Sequence, residues 1–200
     1  PDIMTEFQSL LKRTIDITLS IVAMIILLPL FITSLIIVSL SSTGRIFYKQ
    51  VRLGKDGISF NLYKLRTMYT DSEIATGPIW ADKDDPRITP DGRILRKFHL
   101  DEIPQLYNVF KGQMSIVGPR PERPQIIELL TKEIPYYTHR MKVKPGITGW
   151  AQIRGVYDTD LKDVYIKLKH DFYYIENMSI FLDFKIVFLT VWVVINGRGQ

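Results

Sequence analysis

The residues best equipped for chemistry in this 200-residue chain lie in the stretch HLDEIPQLYNV, residues 99–109, where Asp101 and Glu102 stand side by side ahead of Pro104. Neighbouring side chains on a helix point about 100° apart, so the two acids cannot share one surface role. Two carboxylates held close and partly buried repel, and each resists ionising. They require compensation from protein cations, a metal ion, or both. Adjacent acids are also common on solvated surfaces, so this pair gains its weight from the elements around it.

Ile94, Leu95, Phe98, Ile103, Leu106, Val109 and Phe110 recur at near-helical spacing, and Lys111-Gly112 supplies a stop signal. Proline is tolerated in a first turn, so a helix starting near Asp101 is expected, with its dipole favouring the negative charges. In SIVGPRPERPQ, prolines bracket Arg120 and Arg123. Such a stiff segment presents a guanidinium with little entropy loss. RIFYKQVRLGKDGISFNLYKLRTM, residues 45–68, alternates apolar and polar positions around GKDG and reads as a β-hairpin. Lys64 and Arg66 flank Leu65 and share a face if the strand runs through them; the other basic residues here read as solvated or lipid-facing. An acid pair with several fixed cations suits work on a phosphate ester. Metal-assisted phosphoryl transfer needs oxygen ligands for Mg²⁺, cations for the phosphate oxygens and a nucleophile.

From Ile17 to Gly44 no residue is charged. One helix of that length measures about 42 Å, against a hydrocarbon core of about 30 Å. Pro29 sits near the middle and favours a kink. Lys12 and Arg13 precede the run, while Arg45, Lys49 and Arg52 follow it. Basic residues mark the cytoplasmic side, so both ends claim the same face. A helix–break–helix hairpin satisfies both ends and a kinked spanning helix satisfies one; charge and proline leave the two open. The tail FLDFKIVFLTVWVVI is apolar on nearly all sides. It is expected to lie in the membrane interface, with Trp192 at headgroup level, or to pack on the first hairpin.

The net charge of +5 calls for an anionic partner, a phosphate or a membrane surface. Nucleic acid is a poor match for so apolar a chain. The absence of cysteine excludes disulfides, zinc–thiolate centres and cysteine nucleophiles. His99, His139 and His170 lack metal-ligand spacing, and no Walker or dinucleotide-binding loop is present. The polar loop DSEIATGPIWADKDDPRITPDG, residues 71–92, is long enough to be functional or disordered, and its acids fit no EF-hand pattern. Helices are expected from Gln125 to Leu130 and, amphipathic with a tyrosine-rich face, over DVYIKLKHDFYYIENMS.

Several segments, in order, resemble one known family: FYKQVRLGKDG, YKLRTM, DPRITPDGRILRKFHLDEIPQLYNVFKGQMSIVGPRPERP, VKPGITGWAQIRG and YYIENMSIFLDFKIVFLTV. They are similar to the bacterial sugar transferases, the monotopic phosphoglycosyl transferases that load a phosphosugar onto polyprenyl phosphate. The likeness runs from about Leu11 to the C-terminus. The ADKDDPRIT insert and GRGQ ending resemble the larger, exopolysaccharide-type members, which carry a further N-terminal membrane region; a chain starting at Pro1 fits its removal.

The resemblance implies an α+β fold, mainly helical, with a small β-hairpin, an N-terminal re-entrant membrane helix–break–helix and interfacial amphipathic helices. It implies one catalytic domain, 1–200, with the hairpin at 14–43, broken at Pro29, and a membrane-surface part at 45–200 on the cytoplasmic face of the bacterial inner membrane. Asp101 is then the nucleophile that takes a phosphosugar from a UDP-sugar, releasing UMP, and passes it to polyprenyl phosphate. Glu102 assists, Mg²⁺ sits on Asp101 and Glu102, and Lys64, Arg66, Arg96 and Arg120 hold phosphates. In the family a serine precedes the hairpin proline, whereas Leu28 stands here, which puts the bend angle in question. The implied partners are UDP-sugar, polyprenyl phosphate and membrane lipid; a homodimer is left open. The competing readings are a Mg²⁺-dependent membrane phosphatase or pyrophosphatase and a non-enzymatic membrane-anchored scaffold.

Overall fold

The computed structural model describes residues 4–41, 44–70, 72, 85–155 and 161–195. Most of the loop at 71–92, the GRGQ ending and the far bound of the expected hairpin at 43 lie outside them. The fold is α+β and mostly helical, as expected.

Helix α1 (Glu6–Ile26) begins on a capping box, with Thr5 and Gln8 exchanging side-chain and backbone hydrogen bonds. It therefore starts well before residue 14. Helix α2 (Leu28–Ser41) follows after a bend of 63°. Pro29 lies in the first turn of α2, where a missing N–H costs least. The bend forms with Leu28 at the position in question. The Leu27 N–H closes α1 on Ala23 O and the Phe31 N–H picks up Leu27 O, both at 2.8 Å, so hydrogen bonding resumes around the position where Pro29 has no N–H to give. Among the described residues no single helix is long and apolar enough to cross a membrane, but this bent pair passes that test together.

Strands β1 (Phe47–Leu53) and β2 (Ser59–Leu65) pair antiparallel, Phe47 opposite Leu65 and Leu53 opposite Ser59. Asp56 and Gly57, at φ 55° and 75°, make the turn that the GKDG signal forecasts. Helix α3 (Pro90–Lys97) is capped by the Thr89 side chain. A 3-10 turn over Leu100–Glu102 and helix α4 (Gln105–Phe110) follow. The expected helix starting near Asp101 is thus corrected. The acids occupy a tight turn, and Pro104 caps a separate short helix because it has no N–H to continue the hydrogen-bond ladder.

Strand β3 (Ser115–Val117) pairs in parallel with β4 (Gly146–Thr148). Between them run α5 (Pro124–Glu133), which covers the expected Gln125–Leu130 helix, and a 3-10 segment, Tyr137–Lys142. Helices α6 (Trp150–Ile153), α7 (Leu161–Glu176) and α8 (Ile180–Ile195) complete the chain. Helix α7 is the forecast amphipathic helix, burying Val164, Leu168, Tyr174 and Ile175 and exposing Tyr165 and Tyr173.

Both ends of the helical hairpin attach to the same body. At its entry, Lys12 pairs with Asp183 of α8 at 2.6 Å, and Arg13 donates to Val109 O and Phe110 O at 2.6 and 2.8 Å. Asp16 accepts from Ser115 Oγ and the Ile116 N–H, both at 3.0 Å. At its exit, Arg66 Nη1 donates to Arg45 O at 2.8 Å, while Val38 packs with Leu65 and Leu95. A re-entrant element requires this same-side return. The tail helix α8 buries Leu182 and Ile186 against Val117, Val143, Trp150 and Tyr174, and it meets α1 through the Lys12–Asp183 pair.

Candidate active site

The turn that carries the acid pair is strained and over-determined. His99, entering it, takes left-handed angles of φ 53° and ψ 23°, which a non-glycine residue keeps only when packing enforces them. On one side Leu65, Leu95 and Val38 form a small core that takes in Leu100. On the other, Phe60 and Leu62 pack against Val109. Asn108 stitches α4 to β2, donating to Asn61 O at 2.7 Å and accepting from the Tyr63 N–H at 3.2 Å. Strand β2 therefore runs beside the turn and delivers Lys64 to it.

Lys64 Nζ lies 2.6 Å from Glu102 Oε1 and 3.8 Å from Asp101 Oδ2. Arg120 forks onto Glu102, with Nη2 at 2.5 Å from Oε1 and Nη1 at 3.3 Å from Oε2. Charge-assisted paired contacts of this kind are the strong ones. Arg96 Nε donates to Thr67 Oγ1 at 2.9 Å, and its charge acts more on Asp101 than on Glu102.

Asp101 and Glu102 are 4% and 7% exposed, so neither is a solvated surface acid. They titrate in opposite directions. Burial is the largest influence on both and pushes both up. On Glu102, Arg120 and Lys64 overcome burial and hold the carboxyl well below its usual range. On Asp101 burial prevails, opposed by Lys64 and Arg96 and reinforced by the charge of Glu102, and the carboxyl titrates above its usual range. Among the described residues no donor hydrogen-bonds to the Asp101 carboxylate; its ion pair is the 3.8 Å contact with Lys64. One acid is tied as a counter-ion and the other keeps a basic oxygen. Such a split is how two carboxylates acquire different roles.

The expected cations Lys64, Arg96 and Arg120 come together around the pair. Arg66 stands instead at the return of the hairpin, where its backbone N–H donates to Ile46 O at 2.9 Å and its Nη2 lies 3.4 Å from Val38 O. Pro29 sits at the bend, remote from the pair in role.

Sequence reading missed the support of Arg120. Three successive carbonyls are held: Arg140 Nη2 donates to Arg120 O at 3.0 Å, Arg52 Nη1 to Pro121 O at 2.8 Å, and the Leu53 N–H to Glu122 O at 3.1 Å. The Glu122 side chain meets Lys167 at 2.8 Å, Arg52 at 3.3 Å and Arg140 at 3.9 Å, and Arg140 meets Asp171 at 2.7 Å. Burial would raise the Glu122 carboxyl, but Lys167, Arg140 and Arg52 draw it down to about 2. Two cues existed: Glu122 lies inside the quoted proline-rich segment, and Lys167 and Asp171 share a helix face at i, i+4. Nothing local marked Arg52 or Arg140.

Of the pair, Asp101 keeps a hard oxygen donor open while both oxygens of Glu102 are engaged by Lys64 and Arg120, and among the described residues no group of three or more His, Cys, Asp or Glu side chains converges. One or two carboxylates plus substrate phosphates is the common Mg²⁺ arrangement, so this donor set fits such an ion.

A profile of the bacterial sugar transferases matches residues 7–197. The chain belongs to this family. Among its sugar transferase relatives, an Aeromonas hydrophila protein named UDP-N-acetylgalactosamine-undecaprenyl-phosphate N-acetylgalactosaminephosphotransferase is 41% identical over 195 residues, 98% of this chain and 46% of the relative. The UDP-glucose:undecaprenyl-phosphate glucose-1-phosphate transferase of Escherichia coli K12 is 42% identical over 188 residues, 92% of this chain and 40% of that protein. A Bacillus subtilis sugar transferase, EpsL, described as uncharacterised, is 41% identical over 194 residues, 95% of this chain and 90% of its own length. The chain thus spans less than half the length of the first two relatives and nearly all of the third.

Proposed function

We propose that this bacterial sugar transferase moves a sugar-1-phosphate from a UDP-sugar to polyprenyl (undecaprenyl) phosphate, through a covalent intermediate on Asp101. One observation carries the reading: within a buried acid pair, Glu102 is saturated by Lys64 and Arg120 while Asp101 keeps an oxygen that no described donor engages. A nucleophile needs that oxygen, and its raised affinity for a proton reflects basicity.

In the first half-reaction an Asp101 oxygen attacks the β-phosphorus of the UDP-sugar. The bond to the bridging oxygen breaks, and its electron pair departs with UMP. In the second, an oxygen of polyprenyl phosphate attacks the same phosphorus and expels the Asp101 carboxylate, giving polyprenyl-diphospho-sugar. One phosphoanhydride is broken and one made, so the overall transfer is close to thermoneutral. Anion attacks anion in both steps, and Lys64, Arg96 and Arg120 supply fixed positive charge without reorganisation. Mg²⁺, held by the open oxygen of Asp101 with phosphate oxygens, would neutralise charge on the transferring group; Glu102 would join it only by giving up Lys64 or Arg120.

The bent helix pair and the exposed stripe Phe181, Phe184, Phe188 and Trp192 of α8 support a re-entrant, interfacial seat in the membrane. The basic residues at both ends of the hairpin support the cytoplasmic face of a bacterial inner membrane. The relatives' names divide between N-acetylgalactosamine and glucose at 41% and 42% identity, so the skeleton they share with this chain serves the phosphosugar transfer common to both. Exopolysaccharide or another surface glycan is the class of product.

Single-turnover assay with UDP-sugars tests the reading. The protein should release UMP without acceptor up to one equivalent and carry the phosphosugar on Asp101, found by mass spectrometry. Asp101→Asn should abolish both, and Glu102→Gln should impair turnover severely. Continuous hydrolysis to free sugar phosphate would establish the phosphatase reading instead; unchanged function in Asp101→Asn would establish the scaffold.

A further inference from the structure

One buried amide near the acid pair has no partner. Gln105 is 2% exposed, and its Nε2 makes no hydrogen bond among the described residues. Buried donors are nearly always paired, and an unpaired one lowers stability, so each exception requires a cause. Asn108, one turn further along, marks the contrast. Its amide donates to Asn61 O and to Gln113 Oε1, and its oxygen accepts from the Tyr63 N–H.

The backbone places Gln105 with the carboxylates. Ile103 (φ −50°, ψ −40°) and Pro104 (φ −59°, ψ −18°) both hold helical angles, so the backbone keeps a helical course between the 3-10 turn and α4 although the hydrogen-bond ladder is broken there. On that path Gln105 comes four positions after Asp101 and three after Glu102, spacings at which helical side chains are neighbours, so it stands between the two acids. Helical side chains tilt toward the N-terminus, a direction that leads from Gln105 toward the pair. It bonds to neither carboxylate. Glu102 is taken by Lys64 and Arg120, and Asp101 receives no hydrogen bond.

We propose that Gln105 is a substrate-contacting residue, its Nε2 donating to a non-bridging phosphoryl oxygen of the phosphosugar held at Asp101. This rests on the covalent reading above. The group that arrives there brings acceptor oxygens and no donors, which complements an unpaired N–H in a site otherwise furnished with cations. A neutral donor also adds no charge beside an acid pair whose balance is already set by Lys64, Arg96 and Arg120.

The test pairs stability with kinetics in the full chain, in detergent or nanodiscs, with UDP-glucose and UDP-N-acetylgalactosamine as donors. Gln105→Met keeps the shape and removes the donor. Replacing an unpaired buried amide with an apolar group should leave Tm within about 1 °C or raise it by a few degrees. The rate of UMP release should fall about ten- to hundredfold, the effect of losing a hydrogen bond to a charged group, with KM changed less than about threefold. Gln105→Leu should behave alike. A Tm drop of several degrees in both variants would mean that the amide is structural, and the proposal fails. Unaltered rates in both, with the wild-type adduct on Asp101 intact, would overturn the inference alone. Absence of any wild-type adduct while product accumulates would overturn the covalent reading, and this inference with it.

Discussion

Glu122 provides the sharpest check on the electrostatic architecture. It is 5% exposed and faces Lys167, Arg140 and Arg52. Its carboxyl is drawn from an ordinary value of 4.5 down to about 2. A depressed carboxyl contributes stability that is complete above its unfolded value and is lost as pH falls toward its folded value. A shift of that size is worth about 3 kcal/mol at neutral pH. Removing one member of a buried ionic network costs about the same or somewhat more, because the remaining cations lose their counter-charge. Glu122→Gln should therefore lower the apparent Tm at pH 7 by about 6–12 °C for a chain of this size. Thermal unfolding followed by intrinsic fluorescence from pH 7 down to pH 3 gives a second readout. The wild type should lose stability progressively below the ordinary carboxyl value of 4.5, and the variant should show a shallower decline there. Transfer activity should fall too, because the carbonyls of Arg120, Pro121 and Glu122 lose part of their clamp. A variant within about 1 °C of wild type, with the same acid slope, would refute the claim that this network holds the segment.

Two further outcomes follow from the same structure. Lys64→Met removes the strongest charge opposing burial at Asp101, so the Asp101 carboxyl rises further and its ionised form is lost at higher pH; the acid limb of kcat/KM should move up and the plateau should fall at least tenfold, about the value of one charged hydrogen bond. An unmoved limb would remove Lys64 from that role. Because the chain has no cysteine of its own, single substitutions Ser9→Cys and Tyr48→Cys on either side of the apolar run report its topology. Both should react with an impermeant thiol reagent from the cytoplasmic side; labelling from opposite sides would make the run a spanning helix.

The local elements were legible because local physics sets them. Alternation around GKDG defined the β1–β2 hairpin and its left-handed turn, since Asp-Gly accepts positive φ. The uncharged run and Pro29 located the broken helix, because a missing N–H interrupts the ladder wherever it falls. Adjacent acids in an apolar context, followed by a proline-stiffened arginine, located Asp101, Glu102 and Arg120. The reading went astray where two local signals competed. Pro104 allowed either one helix starting at the acids or a tight turn followed by a short helix, and the packing of Leu65 and Leu95 with Val38, taking in Leu100, selected the turn.

What the sequence by itself determined is therefore the inventory: the candidate acids and cations, the bent apolar segment and the elements that lie between. Tertiary structure alone decided the assignment of roles. Lys64 and Arg66 looked equivalent, yet one meets both carboxylates and the other closes the return of the hairpin. Asp101 and Glu102 looked equivalent, yet Arg120 saturates the second and leaves the first basic. Arg52, Arg140 and Lys167, far apart in the chain, converge on Glu122. The reason is physical. Hydrophobic spacing and backbone chemistry act over a few residues, whereas the protonation state of a buried acid depends on charges within several ångströms, and these are gathered from any distance along the chain.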